Sequence, residues 1–152
     1  MDTENLLKSL NGHKVEFVII RATAFPIHGY ARATLDLDIF IRPDPQNVSR
    51  LMDALRDFGY DLADVTPEDL LTKKVLIRQY LVETDVHPFV SGLTFDQVWN
   101  NKVSGTYGKE KVYYASLDDL ITMKQAAGRP KDLEDLRVLK TLKEKKRTHS
   151  KS

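Results

Sequence analysis

The sequence predicts an α+β (mixed α/β) domain in which helices pack on a small β-sheet. Three observations carry this. Apolar residues recur at helical spacing in several stretches, and most of these stretches open on a capping residue. Between them lie short β-branched or aromatic runs, two of which alternate polar and apolar residues. The two kinds of segment interleave along 152 residues, the length of a single domain with one core.

Element by element, Leu6, Leu7 and Leu10 form the apolar stripe of a short first helix. Val15 to Ile20 reads as a strand, and Leu35 to Ile41 as a second that alternates acidic and apolar residues. Asp44 caps the next helix and Pro45 occupies its first turn. Val48, Leu51, Met52, Leu55 and Phe58 keep helical spacing until Gly59 stops it. Thr66-Pro67-Glu68-Asp69 marks another short helix start. Tyr80 to His87 reads as a strand with Val82, Thr84 and Val86 on one face and Glu83, Asp85 and His87 on the other. Thr94 and Gln97 make a capping box ahead of Val98 and Trp99. Lys111 to Tyr114 reads as a short edge strand. Ser116 caps a helix from Leu117 to Ala127 that Gly128 ends, and Pro130 opens a last helix with the stripe Leu133, Leu136, Leu139 and Leu142. From Lys143 the chain turns basic and reads as a solvated helix end fraying into a tail. The expected organisation is one domain over 1–142 and a flexible tail over 143–152.

Composition narrows the classes of function. A net charge of +1 provides no global field for nucleic acid or an anionic membrane, so anion binding must be local. The absence of cysteine excludes a disulfide scaffold, a thiolate zinc site and a cysteine nucleophile. Met1 to Lys8 has the character of no secretory signal, and no apolar run approaches the roughly 20 residues of a membrane helix. The expected location is the cytoplasm, with no membrane partner.

The chemistry concentrates in Thr34-Leu35-Asp36-Leu37-Asp38-Ile39-Phe40. Alternate residues of a strand share a face, so Asp36 and Asp38 project together while Leu35, Leu37 and Ile39 point into a core. Two carboxylates so placed repel unless a cation or a proton sits between them. A hard divalent ion such as Mg²⁺ resolves the conflict. Asp85 lies in a second apolar strand, and if that strand neighbours the first, three carboxylates converge. Such a trio suits phosphoryl-type transfer, with metal ligation and uptake of a proton from the attacking hydroxyl divided among the acids.

Phe17-Val18-Ile19-Ile20, then His28-Gly29-Tyr30-Ala31-Arg32-Ala33-Thr34, then Asp36-Leu37-Asp38, resembles the small bacterial and archaeal nucleotidyltransferases. The group is that of the minimal nucleotidyltransferases and AbiEii-type toxins, with the polymerase-beta-like fold. Asp85-Val86-His87-Pro88, the helix of Ser116 to Ile121 with Lys124, and Gly128 to Leu136 are similar to later parts of that family, so the likeness spans about Val15 to Leu139. The resemblance implies a mixed sheet of about four or five strands flanked by helices. It also implies Mg²⁺-dependent transfer of a nucleoside monophosphate from a nucleoside triphosphate to an acceptor hydroxyl on a protein, an RNA end or a small molecule. By match, Asp36 and Asp38 are metal ligands and Asp85 the third carboxylate. Arg21, Ala22, Thr23, Arg32, Thr34 and Lys124 are expected at the nucleotide.

Where the family has Gly-Gly or Gly-Ser after its first strand, this chain has Arg21-Ala22. Arg21 is expected either to bind the triphosphate or to reach Asp36 or Asp38 in place of the metal. The second outcome would make the chain a non-catalytic binding or regulatory module, such as one half of a toxin–antitoxin pair. A metal-dependent nuclease or phosphatase using the same acids is a third reading. The acceptor platform would come from a homodimer or another protein. His28 reads as structural, and His87 as a neighbour that orients Asp85. Lys131, Asp132 and Asp135 read as helix-surface ion pairs, and Trp99, Tyr113 and Tyr114 as core or rim.

Overall fold

A computed structural model describes residues 2–32, 36–80 and 82–150. Helix α1 (Thr3–Gly12) is capped by Asp2, whose carboxylate accepts from the amide of Asn5. Strand β1 (Phe17–Ile19) leads into two 3₁₀ turns, Arg21–Ala24 and Pro26–His28, and then β2 (Asp36–Ile41). Helices α2 (Pro45–Phe58) and α3 (Pro67–Thr72) precede β3 (Val75–Arg78) and β4 (Glu83–His87). Helix α4 (Phe95–Asn101), the hairpin of β5 (Val103–Tyr107) and β6 (Glu110–Tyr114), α5 (Leu117–Ala127) and α6 (Leu133–Ser150) complete the chain.

The helix boundaries follow the local chemistry. Asp44, Thr66, Thr94 and Ser116 each accept a backbone N–H with the side chain, and the boxes at Thr66 and Thr94 are reciprocal. Gly59 ends α2 at φ 116°, a left-handed conformation that favours glycine.

The strands form one sheet in the order β3-β4-β2-β1-β6-β5. It is mixed: β2 runs parallel to β4, β1 parallel to β6, and the other neighbours are antiparallel. Central β1 is buried throughout, as Val18 and Ile19 require. The core also takes Leu6, Leu7 and Leu10 from α1 and Leu51 and Leu55 from α2. Fully buried Asn47 is satisfied by backbone alone. Its amide group donates to the carbonyls of Glu16 and Arg42 and accepts from the amide of Glu16, which ties α2 to the ends of β1 and β2.

Four expectations change. The sheet has six strands rather than four or five. Lys111–Tyr114 is not an edge, because β5 pairs along its outer side over five residues. Tyr80 and Val82 are not part of β4, and residue 81 lies outside the described residues; β3 folds back antiparallel on β4, and Tyr80 has φ 59°. Leu133 does not join the apolar stripe of α6: it is 65% exposed, while Leu136, Leu139 and Leu142 pack on the core. Helix α6 continues through the basic segment to Ser150. Among the described residues no helix is long and apolar enough to cross a membrane.

Candidate active site

The parallel pairing of β2 and β4 builds the site. Asp36 lies opposite Glu83, Asp38 opposite Asp85, and Phe40 opposite His87. Rung partners on neighbouring strands share a face, so the acidic residues of both strands collect on one side of the sheet. Asp38, Asp85 and His87 are all buried, and one potential ligand atom from each lies within 4.8 Å of the others. His87 Nε2 is 2.8 Å from Asp38 Oδ1. Asp36 is two rungs further out on the same face, where its side chain hydrogen-bonds Glu83. That bond, together with desolvation and the charge of Asp36, raises the Glu83 pKa above its ordinary value.

The neighbouring strand provides cations. Arg78 Nη1 donates to Asp85 Oδ1 at 2.6 Å, and its Nε lies 3.7 Å from Glu83. Hydrogen bonding to Asp85 is the largest cause that raises the Arg78 pKa, and the charges of Asp85, Asp36 and Glu83 add to it against the cost of burial. Lys74 Nζ stands 3.9 Å from the other Asp85 oxygen. Pairing at Asp38 and Asp85 is therefore with His87, Arg78 and Lys74.

His87 also lines a cleft of about 380 Å³ bounded by the ends of β1 and β4 and by α5. Arg21, Lys74, Lys124 and Arg129 give it positive charge, and Phe25, Phe89 and Met123 give it an apolar wall. Arg21 sits at φ 61°, the left-handed region where glycine is the usual occupant. The backbone thus takes a glycine-like conformation at this position, although the residue is arginine.

The remaining expected nucleotide contacts have other partners in the fold. The Thr23 hydroxyl donates to the carbonyl of Asp36 at 2.9 Å and steadies the start of β2. Ala22 is half-buried against the core. Arg32 pairs with Asp135. Lys124 bridges Asp132 at 2.9 Å and Asp135 at 3.3 Å. Thr34 lies outside the described residues. Asp132 and Asp135 do not form surface pairs. They are buried, and Tyr30, Arg32, Lys124 and Arg129 surround them. Burial alone would raise the Asp132 pKa; hydrogen bonds and charge from Arg129 and Lys124 outweigh it and hold the pKa below the ordinary value. His28 is structural, with Nε2 2.8 Å from the carbonyl of Ala115.

Sequence reasoning assigned no part in the site to Arg78 and Lys74. The signal lay in the alternation Lys74, Leu76, Arg78 against Val75 and Ile77, which places both cations on one face of a strand next to β4.

Two buried carboxylates and an imidazole form a donor set that fits a divalent cation. A mixed sheet carrying this group on adjacent parallel strands is compatible with a nucleotidyltransferase-like fold. Over residues 1–145 the sequence matches the family model described as "Nucleotidyltransferase of unknown function (DUF6036)", and the chain belongs to that family. No curated protein matches the sequence.

Proposed function

We propose that the protein transfers a nucleoside monophosphate from a nucleoside triphosphate to an acceptor hydroxyl on a protein, an RNA end or a small molecule. The observation that carries this reading is the meeting of Asp38 and Asp85 on one rung, beside a cleft lined by Arg21, Lys74, Lys124 and Arg129. Asp38 and Asp85, with His87 beside them and Asp36 further along the same face, would hold divalent metal, Mg²⁺ in the first instance. When bound, the metal supplies Lewis-acid stabilisation of the charge that develops on the phosphates.

The chain's own residues do the rest. Arg21 and the cationic wall of the cleft bind the triphosphate, and Phe89, 61% exposed at the cleft, offers its ring to the base. The acceptor oxygen attacks the α-phosphorus, the bond to the β-phosphate breaks and pyrophosphate leaves. Asp85, oriented by Arg78, takes up the hydroxyl proton. Thr23 and the Asp135 network hold the segments that flank β2.

The test is magnesium- or manganese-dependent incorporation of α-labelled nucleotide, run with all four triphosphates. Asp36→Asn and Asp38→Asn are expected to lower it by about 100-fold or more. Absence of both binding and incorporation across several acceptors would count decisively against transfer. One feature favours a second reading, a non-catalytic module acting in a toxin–antitoxin pair: His87 and Arg78 already occupy hydrogen-bonding positions on Asp38 and Asp85. On that reading the folded protein binds neither metal nor triphosphate.

A further inference from the structure

Two-ion transfer sites place their cations about 4 Å apart across shared carboxylates. In this chain the carboxylates are present in sufficient number, with Asp36, Asp38, Glu83 and Asp85 on two rungs of one face. They are not all free to serve ions. The Arg78 side chain enters this face from β3, where Arg78 is the rung partner of Glu83. It donates to Asp85 Oδ1 at 2.6 Å and lies 3.7 Å from Glu83. Its field also acts on Asp36. A guanidinium is permanently charged and forks between carboxylates.

We propose that Arg78 occupies the place of a second divalent ion, so that the site loads a single ion, at Asp38, Asp85 and His87. The inference rests on the metal-binding reading above and specifies its stoichiometry. The inner position has an imidazole facing Asp38 and, among the described ion pairs, no Arg or Lys contact to that carboxylate; at Asp85 the Lys74 ammonium stands off at 3.9 Å, against 2.6 Å for Arg78. The outer position, by Asp36, Glu83 and the second flank of Asp85, holds positive charge already. A divalent ion entering there would meet a like charge within a few ångströms of its own ligands. Arg78 then serves as a positioning residue: it fixes Asp85 and supplies a constant charge where other transfer sites rely on exchangeable metal.

The experiment is titration of the nucleotide-free protein with Mn²⁺, reading free ion by electron paramagnetic resonance and heat by calorimetry. The wild-type chain is expected to bind one ion, Arg78→Lys one, and Arg78→Ala two. Circular dichroism melting of each variant shows that it is folded at the titration temperature. Two ions in the wild type, or one in a folded Arg78→Ala, would overturn the inference. Nucleotide incorporation is measured on the same preparations. Two ions with incorporation intact defeat only the single-ion proposal, whereas no bound ion and no incorporation defeat the transfer reading as well.

Discussion

His87 Nε2 and Asp38 Oδ1 stand 2.8 Å apart across the parallel ladder of β2 and β4, both side chains buried. The imidazole either joins the donor set or orients the carboxylate that does. Both roles predict that His87→Ala lowers Mn²⁺ affinity by about 10- to 100-fold, the usual cost of losing such a partner. Calorimetry checks this, and an unchanged affinity would remove His87 from the metal site.

Lys124 is the cation that Asp132 and Asp135 share; both acids are buried and Lys124 is half-buried. Lys124→Met leaves two buried carboxylates with fewer partners and is expected to destabilise the fold by about 3–5 kcal/mol. Urea unfolding measures it. A loss below about 1 kcal/mol would mean that Arg32 and Arg129 satisfy the acids unaided.

Burial lowers the His28 pKa, the charge of Lys146 adds to this, and the bond to the Ala115 carbonyl opposes it. A lowered folded pKa means that the unfolded chain takes up the proton first. Stability is therefore fully present above about pH 6.5 and declines as the pH falls below that value. His28→Gln, which can still donate to Ala115, should flatten this part of the profile. The same sign holds for Asp132, whose contribution fades below about pH 4.

Arg21 keeps a long side chain at φ 61°, a conformation that costs a non-glycine residue roughly 1 kcal/mol. Arg21→Gly is expected to leave stability unchanged or raise it by up to about 1 kcal/mol. The same change should weaken triphosphate binding by about 10-fold if the guanidinium meets phosphate, since one charge-assisted hydrogen bond contributes about 1.5 kcal/mol. Thermal melting and nucleotide titration separate the two effects.

Much of this architecture was legible in the sequence. Asp44, Thr94, Ser116, Gly59 and Gly128 mark helix ends through local hydrogen bonds and backbone conformation, which neighbours in the chain determine. The alternation of Asp36 and Asp38 with Leu37 and Ile39 places the acids on one face in the same way. What escaped reading depends on pairing. β5 contains Ser104, Gly105 and Thr106, with too few large apolar residues to announce a strand, and only its hairpin with β6 identifies it. Asp135 resembles any first-turn helix acid until Tyr30 and Arg32, more than 100 residues earlier, close on it. His87 reads as a neighbour of Asp85 along β4; the fold turns it toward Asp38 across the ladder, a contact that requires the register of two strands.

The sheet order separates the acids from their arginine. Among the described residues, β2 and β4 have a hydrogen-bonded strand on each side, whereas β3 has one only on its β4 side. Outer strands fray first and exchange their amide hydrogens soonest. The carboxylates therefore sit on inner strands, whereas Arg78 sits on an outer strand, where earlier amide exchange is expected. A release of β3 would withdraw the guanidinium from Asp85, so hydrogen exchange at β3 would report how often the acid loses this partner, independent of any chemistry performed there.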